Sequence, residues 1–414
     1  MLRNNGRHNF RSPYFPQPSL VLDFAGTGTL DPRVTFTRST TGTYYNSSGV
    51  LTTAAIDAPR FDYNPSTLAP LGLLIEQSST NLELYSGAIG GTGWTNIRLS
   101  ANLTANIAPD GTQTASLLTE DTSTNSHLVY NATALNVTNA TSYTVTRYAK
   151  QAGRTWLNIV PSFSAGSAYF DLANVTLGTV TGGTATITSV GNGWCKCTFT
   201  VTSNTTTGYI FTQLASANGT NTYTGNGYSG IYIWGAQSEA LAFPTSYIPT
   251  TSAQVTRAAD NASMTGTNFS SWFNQGQGTV YSEIASFTNF ALGSSRVGWQ
   301  IDSGSGVTDR FVYNQTSSAM TTQVGGTTQA NFSIPAPSAK AFTKNAFSYS
   351  PNLFNDSYNG TALSTITSGS IPTVSRLILG DQGVNSLPLN GWIKKFSYYP
   401  IQFTSAQNQA LTGS

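Results

Sequence analysis

Two neighbouring stretches of the chain decide its fold class: YTVTRYAK (143–150) and TWLNIV (155–160). Apolar and polar side chains alternate in them, which is the pattern of a strand that buries one face. Similar stretches follow along the chain, including SAYFDL (167–172), WCKCTFTV (194–201) and GYIFTQL (208–214). Short strands at regular spacing, separated by glycine-rich turns, are typical of a β-sandwich or jelly roll.

The last part of the chain repeats this style with different content. Strands are predicted at GTVYSEIASF (278–287), SRLILGD (375–381) and GWIKKFSYYP (391–400), among others. The tail TSAQNQALT (404–412) is predicted to form one short helix, with Ser405 as its cap. The pattern therefore predicts a second sandwich after the first.

The domain organisation follows from these blocks and from the length of 414 residues, which suggests two or three domains at roughly 150 residues each. Residues 1–20 form a distinct arm, and residues 21–80 hold short strands between turns. The first sandwich is predicted over 81–257 and the second over 258–414. We therefore predict an all-β chain in which a short β-rich N-terminal region precedes two β-sandwich domains.

Charged residues are scarce in this chain. Asp, Glu, Lys and Arg make up 9% of it and aromatic residues 12%, whereas about 25% of an average soluble protein is charged. The net charge of +2 offers no broad basic field, so general nucleic-acid binding is not expected. The sequence contains no run of 18 apolar residues, so membrane insertion is not expected either. Cys195 and Cys197 are predicted to be free thiols, because a disulfide between positions i and i+2 of a strand is strained.

The supply of catalytic groups is thin. The two histidines, His8 and His127, lie far apart in the sequence, so a histidine-based metal site is not predicted. The sequence lacks GxSxG, HExxH and Walker-type motifs. A pair of the 17 carboxylates could meet in space as a glycosidase dyad, but no motif indicates one. Asp302 and Asp309 lie in polar Gly/Ser loops where they could coordinate Ca²⁺, but turn-forming Asp is the favoured interpretation. We therefore predict that the chain is not an enzyme and that it uses no cofactor and no metal.

The arm at residues 1–20 combines basic, aromatic and proline residues. Its prolines at positions 13, 16 and 18 discourage both helix and sheet interior. One interpretation is a disordered terminus. The other is an extended segment that anchors the protein to a neighbouring subunit of a particle. The side chains that would make this contact are Arg3, Arg7, Arg11, Tyr14 and Phe15.

Sugar binding is chemically more plausible than catalysis for this composition. Flat aromatic rings can stack on pyranose faces while Asn, Gln and Asp bind hydroxyl groups. Ordinary core packing is the competing interpretation for each such ring, because aromatic residues dominate the cores of β-sandwiches. Trp194, Trp234 and Trp392 lie in apolar strand patterns and are assigned to the core. The candidate glycan-binding residues are Trp94, Trp156, Tyr228, Trp272 and Tyr358.

Three stretches of the sequence resemble a widespread family of structural proteins of tailed bacteriophages and prophages. They are LVLDFAGTGTLDPRVTFTRSTTGTYYNSSGVL (20–51), GIYIWGAQSEALAFPTSYIPTTSAQVTRAAD (230–260) and NGWIKKFSYYP (390–400). Members of the family are tail-fibre, head-fibre or minor structural proteins. The resemblance implies a carbohydrate-binding-module-like jelly roll over 81–257 and a concanavalin/laminin-G-like sandwich over 258–414.

The resemblance further implies a location on the virion, at the head or the tail, for a protein that is made in the host cytoplasm. The expected function is that of a surface appendage, which is a fibre, spike or capsid decoration component. Its expected partners are other virion proteins, further copies of itself in an oligomer, and host surface polysaccharide. Two alternatives stay open: a dedicated glycan-binding protein for host attachment and, disfavoured by the composition, a polysaccharide depolymerase.

Overall fold

A computed structural model describes residues 15–288, 296–304, 307–315, 319–383 and 387–414. Strands make up 51% of the described residues and helices 4%, so the predicted all-β class is confirmed, with antiparallel sheets. Among the described residues no helix is long and apolar enough to cross a membrane. The helices are α1 (Phe24–Thr27), α2 (Thr267–Ser270) and α3 (Ser405–Gly413).

The strands are short and follow one another closely along the chain. In the first half they are β1 (Leu20–Asp23), β2 (Thr35–Thr37), β3 (Gly42–Tyr45), β4 (Leu51–Ala54), β5 (Phe61–Tyr63), β6 (Pro70–Ile75), β7 (Ser79–Asn81), β8 (Trp94–Ile97), β9 (Leu99–Asn106), β10 (Ala115–Glu120), β11 (Thr124–Asn131), β12 (Leu135–Asn136), β13 (Ser142–Ala152), β14 (Trp156–Pro161), β15 (Ser167–Asp171), β16 (Thr176–Thr181), β17 (Gly183–Ser189) and β18 (Cys195–Thr202). In the second half they are β19 (Thr207–Gly208), β20 (Ile210–Ala215), β21 (Thr222–Thr224), β22 (Gly230–Glu239), β23 (Val255–Arg257), β24 (Asn261–Thr265), β25 (Gly278–Ser286), β26 (Val297–Asp302), β27 (Arg310–Asn314), β28 (Ala319–Val324), β29 (Thr327–Ser333), β30 (Thr343–Ser350), β31 (Leu353–Tyr358), β32 (Thr361–Ile366), β33 (Arg376–Leu379) and β34 (Gly391–Tyr399).

The chain divides into two compact units. The central unit is residues 36–260, and the terminal unit combines residues 15–35 with the described residues of 261–414. The first part of the region 21–80 therefore belongs to the terminal unit and the rest to the central unit. The four-part division that the sequence suggested stays a prediction.

The central unit is a sandwich of two antiparallel sheets. One sheet has the strand order β17-β18-β13-β22-β10-β9, and the other has the order β16-β15-β14-β20-β11-β21 with β8 beside β11. Alternate side chains of both sheets meet in one core, where Val145 and Phe199 of the first sheet share a cluster with Leu157 and Ile159 of the second. The two cysteines are free thiols, as predicted, and both are buried.

Buried charges join the beginning of the central unit to its end. Arg60 donates to Glu76 Oε2 at 2.7 Å and also to Asp260. Arg38 Nη1 donates to Asp260 Oδ1 at 3.1 Å, and Arg257 Nη2 lies 3.5 Å from Glu76 Oε2. All five side chains are excluded from solvent. Because an unpaired buried charge is costly, the network fixes these distant segments to each other.

The terminal unit is a second sandwich. Strands β32-β31-β30-β25-β34, with β1 beside β34, form one of its sheets, and β24-β33-β26-β27-β28-β29 form the other. Phe311 and Phe347 pack across the two sheets with their ring centroids 5.7 Å apart. Helix α3 forms as predicted, but Thr404 caps it rather than Ser405, because the Thr404 hydroxyl accepts a hydrogen bond from Gln407 N.

Candidate functional site

The outer face of strand β22 carries an aromatic cluster in the central unit. Ile231 and Ile233 point into the sandwich core, so Trp234 falls on the opposite face of the strand. Its ring centroid lies 5.5 Å from that of Tyr148 and 4.6 Å from that of Tyr247. This face of the sheet is therefore aromatic rather than polar.

An open cavity of about 430 Å³ lies on this face. Its size is within the roughly 300–1,000 Å³ that small-molecule sites occupy. We refer to it as the Trp234 cavity. Its lining residues are Thr43, Leu51, Thr53, Tyr85, Gly87, Ala88, Leu103, Thr104, Asp110, Thr114, Trp234, Tyr247, Pro249, Thr250 and Thr251.

Hydrogen bonds hold the aromatic wall of the Trp234 cavity in place. The indole N–H of Trp234 donates to Thr114 Oγ1 at 3.1 Å. The hydroxyl groups of Tyr247 and Ser86 lie 2.7 Å apart, and Thr250 N donates to Ser86 Oγ at 2.8 Å. Burial raises the pKa of Tyr247 far above its ordinary value, so the phenol is neutral.

Gly87 keeps the wall accessible. A Cβ atom at this position would lie 3.7 Å from Trp234 Nε1 and 3.9 Å from the Tyr247 hydroxyl. Those are ordinary van der Waals contacts, so a larger side chain would fit only by occupying part of the cavity. Trp234 and Tyr247 are only 3% and 4% exposed, so the space at Gly87 leaves just the edges of the two rings within reach of a ligand.

The polar groups of the Trp234 cavity are hydroxyls and one carboxylate. Thr53, Thr104 and Thr251 are exposed at its rim. Asp110 accepts hydrogen bonds at Oδ1 from the backbone N–H (2.9 Å) and the hydroxyl (2.7 Å) of Thr112. The described lining residues include no Lys, Arg or His. The arrangement suits an uncharged, hydroxyl-rich ligand with an apolar face.

Three of the five predicted glycan-binding residues are buried, which corrects the expectation that they are exposed. Trp94 is 8% exposed and its ring N–H donates to Tyr85 O. Trp272 is 4% exposed and packs against Tyr398, and Tyr358 is 6% exposed. Large aromatic side chains add the most apolar area to a sandwich core, and here that core packing prevails over exposure.

The other two predicted glycan-binding residues remain accessible but lie outside the Trp234 cavity. Tyr228 is 78% exposed. Trp156 is half-buried on β14, and its indole reaches over Gly178, where a Cβ atom would lie 2.6 Å from the ring. The structure therefore does not bring the five predicted residues together.

Four of the five predicted anchoring residues, Arg3, Arg7, Arg11 and Tyr14, lie outside the described residues. The fifth, Phe15, is half-buried, and its ring centroid is 5.7 Å from that of Phe403 in the terminal unit. The anchoring role thus stays a prediction.

A carboxylate with a tyrosine partner occurs elsewhere in the central unit. Tyr223 donates to Glu120 Oε2 at 2.7 Å, and Arg154 binds the same carboxylate through Nε (2.7 Å) and Nη2 (2.6 Å). Burial raises the pKa of Glu120, but these hydrogen bonds outweigh it and lower the pKa overall. The group is therefore a poor proton acceptor. In the part of the chain that the structure describes, no three His, Cys, Asp or Glu side chains are placed to hold a metal ion.

The sequence contains a signal for the Trp234 cavity. In GIYIWGAQ the isoleucines occupy the core-facing phase of the strand, which places Tyr232 and Trp234 on the other face. Aromatic residues on the outward phase of a strand indicate either a packed second layer or a binding surface. The low exposure of Trp234, at 3%, agrees with its assignment to the core, but the ring also lines the cavity.

Fold and cavity together define an all-β protein of two sandwich units, one of which has an aromatic-walled cavity. No family model matches the chain, and no curated protein matches it. Among solved structures it is similar to the CBM40 module of the Ruminococcus gnavus IT-sialidase bound to α2,3-sialyllactose, at 13% identity and a TM-score of 0.30, over 35% of this chain and 88% of that one. It is also similar to Trypanosoma rangeli sialidase in complex with the inhibitor DANA, at 9% identity and a TM-score of 0.28, over 72% of this chain and 60% of that one.

These comparisons correct one expectation. The prediction that the chain is not an enzyme is wrong, because sialidases are among the similar structures and enzymatic activity is therefore not excluded. A likeness at this level assigns neither a reaction nor a catalytic residue to the chain.

Proposed function

We propose that the central unit binds a neutral carbohydrate in the Trp234 cavity. One observation carries this proposal: aromatic edges, hydroxyl groups and a single carboxylate line the same open cavity of about 430 Å³. The C–H faces of a sugar ring contact Trp234 and Tyr247. Its hydroxyl groups exchange hydrogen bonds with the rim threonines and donate to Asp110.

The charge of the lining argues for a neutral sugar. An acidic sugar would place its carboxylate near that of Asp110, and the described lining residues supply no cation to offset the repulsion. The proposed ligand therefore differs in charge from the sialyllactose that the Ruminococcus gnavus module binds.

The full-length protein on an array of neutral and acidic glycans tests this proposal, with titration calorimetry on each glycan that binds. Gly87→Val should lower the affinity about tenfold or more, because its methyl groups occupy space in front of Trp234 and Tyr247. Gly276→Val is the matched control. It lies on an exposed loop of the terminal unit where Asn274 Oδ1, at 3.6 Å, is the nearest atom to an added Cβ.

Unchanged binding in Gly87→Val, with the fold intact by circular dichroism, would show that the Trp234 cavity is not the site. If neither the array nor the titrations detect a bound glycan, the proposal fails altogether.

We also propose that the protein is a surface appendage of a bacteriophage particle, attached through residues 1–14. The family resemblance of the sequence supports this, as does the way the chain enters the terminal unit. Phe15 packs on Phe403, and Ser19 Oγ donates to Trp272 O at 2.8 Å. The terminal unit thus holds the chain from residue 15 onward, directly after the three arginines of the arm.

Deletion of residues 2–14 tests the attachment, because it removes Arg3, Arg7, Arg11 and Tyr14 but leaves Phe15 and Ser19 in place. We expect a folded protein with an unchanged melting temperature that no longer enters particles. A variant with the three arginines replaced by glutamine separates charge from length. Incorporation of the truncated protein at the normal copy number would refute the anchoring role.

A further inference from the structure

A row of charges crosses three neighbouring strands of the terminal unit. Asp302 on β26 is paired in register with Arg376 on β33 and with Arg310 on β27. Arg376 donates to both carboxylate oxygens of Asp302, through Nε at 2.6 Å and Nη2 at 3.3 Å. Asp302 also accepts from Gln300 Nε2 and Gly304 N, both at 2.6 Å. Fully buried Asp302 therefore fixes the orientation of the Arg376 guanidinium group.

The Arg376 guanidinium group keeps donors to spare. An arginine side chain has five N–H donors, and the pairing with Asp302 uses the Nε donor and one of those on Nη2. Arg376 Nη1 has no hydrogen-bond partner among the described residues. The side chain is 28% exposed, so this free edge reaches solvent. Arg310 brings a second guanidinium group to the row, where its Nη1 donates to Gln300 Oε1 at 3.1 Å.

Arg376 also lines a cavity of about 620 Å³, and we refer to it as the Arg376 cavity. Phe269 and Phe273 form one wall, with stacked rings whose centroids are 4.7 Å apart. Thr267 and Ser375 supply exposed hydroxyl groups. Arg376 is the one charged residue among the described lining residues. Asp309, the acid next to Arg310, points away to Gly325 N at 2.9 Å and is not part of the lining.

We propose that the Arg376 cavity binds a carboxylate-bearing sugar residue of the uronic acid type. Arg376 donates from Nη1 to the sugar carboxylate, the phenyl rings contact the sugar ring, and the hydroxyl group of Thr267 binds one of its ring hydroxyls. A guanidinium group already oriented by a buried carboxylate loses little entropy on binding, and its charge-assisted hydrogen bonds are stronger than neutral ones. This site is independent of the Trp234 cavity and has the opposite preference for charge.

Two ligands that share one ring test the charge preference. Titration of the full-length protein with methyl β-D-glucuronide and with methyl β-D-glucoside compares a carboxylate with a hydroxymethyl group. We expect the glucuronide to bind about tenfold or more tightly. That preference should shrink at high salt, because the Arg376 guanidinium group is partly exposed and therefore screened. Equal affinity for the two ligands would overturn the proposal.

A pair of variants at Ser375 locates the site. The Ser375 side chain is exposed, and its backbone N–H donates to Asp302 O at 2.7 Å whatever the side chain. Ser375→Asp places a negative charge beside Arg376 and should abolish glucuronide binding. The asparagine of Ser375→Asn has the shape of aspartate without its charge, so this variant should retain glucuronide binding. An equal loss in both variants would mean that shape rather than charge governs the cavity, and the proposal would be wrong.

Two more variants complete the test. Arg376→Gln should also lose the glucuronide. The Arg376→Gln variant deprives the buried Asp302 of its partner, so its fold must be verified by circular dichroism. If Arg376→Gln unfolds, the two Ser375 variants decide the test. Gly87→Val, in the Trp234 cavity, should leave glucuronide binding unchanged. Loss of glucuronide binding in Gly87→Val would place the acidic sugar in the central unit and refute its assignment to the Arg376 cavity.

Discussion

The central and terminal units are both antiparallel sandwiches, yet the cavities that they contain differ in the sign of their charged lining residue. The Trp234 cavity of the central unit has one carboxylate, Asp110, and the Arg376 cavity of the terminal unit has one guanidinium group. Two buried acids differ in the same respect, although the terminal unit also buries Asp302 against Arg376. In the central unit Glu76 is buried against Arg60 and Arg257, whereas in the terminal unit Asp356 is buried with amide and backbone donors alone. One architecture thus supports opposite electrostatics, because a few side chains at fixed strand positions decide them.

The buried acids extend this contrast to pH. Burial raises the pKa of Glu76, but the charges of Arg257 and Arg60 outweigh it and lower the pKa to about 2. Burial raises the pKa of Asp356 well above its ordinary value, and the hydrogen bonds from Asn345 and Ser357 compensate only in part. The first group stabilises the fold when it is ionised, and the second when it is protonated.

The largest effect is expected for Glu76→Gln. It leaves two buried guanidinium groups short of an anion, which costs about 3–5 kcal/mol of unfolding free energy near pH 7. Since the wild-type stabilisation requires the ionised form, the difference between wild type and variant should narrow as the pH falls from about 4 towards 2. Urea unfolding at pH 3 and pH 7 measures this.

Asp31→Asn is the matched control for Glu76→Gln. It removes a carboxylate from a partly exposed ion pair, in which Arg33 Nη2 lies 2.7 Å from Asp31 Oδ2. Partly exposed pairs contribute about 0–1 kcal/mol. Equal losses in Asp31→Asn and Glu76→Gln would mean that the buried network does not hold the central unit together.

Asp356→Asn should remove a pH dependence of stability whose sign is opposite to that expected for Glu76. In the wild type the unfolded chain releases the Asp356 proton near pH 4 while the folded chain retains it. The stability therefore falls as the pH rises through this window, by up to about 1.4 kcal/mol per pH unit. Asparagine cannot ionise, so the variant should lack this slope. The titratable groups near Asp356 are Tyr313, whose hydroxyl interacts electrostatically with it, and Tyr358, two residues along the same strand. Burial raises the pKa of both tyrosines, so both are neutral in the same range.

Thermal unfolding of wild type and Asp356→Asn between pH 4 and pH 8 checks this prediction. The two curves should converge at the acid end and separate towards neutral pH, with the variant the more stable. Parallel curves over the whole range would show that Asp356 is ionised in the folded protein.

The class of fold could be predicted from the sequence, but the candidate sites could be predicted only in part: the outward phase of Trp234 was visible, and the residues that surround it were not. Strand alternation in stretches such as 143–150 depends on local periodicity, and the structure confirms it. The ion network joins Arg60 to Asp260, 200 residues away, and no local pattern reports such a pair. Trp94 and Trp272 were named as glycan-binding candidates, a role that requires exposed rings. In the fold they pack inward, since the burial of a large ring prevails over the polarity of its neighbours.

The smallest expected effect tests the charge of the Trp234 cavity. Asp110→Asn keeps the acceptor oxygen that binds Thr112 but removes the negative charge. A hydrogen bond from a sugar hydroxyl to a carboxylate is stronger by about 1 kcal/mol than one to an amide oxygen. The affinity for a neutral glycan should therefore fall by roughly threefold to tenfold, as measured by titration calorimetry on the glycan that the array identifies.

Asp121→Asn is a control for Asp110→Asn, because Asp121 makes the same pair of local hydrogen bonds outside the cavity, with His127 Nε2 at 3.2 Å as an additional neighbour. Asp121 Oδ1 accepts from the backbone N–H (2.9 Å) and the hydroxyl (2.6 Å) of Ser123, as Asp110 does from Thr112. Its substitution should leave glycan affinity unchanged. If Asp110→Asn has no effect either, the carboxylate does not contact the sugar. If it strengthens the binding of neutral glycans, the charge opposes binding, and the contrast between the two cavities would rest on Arg376 alone.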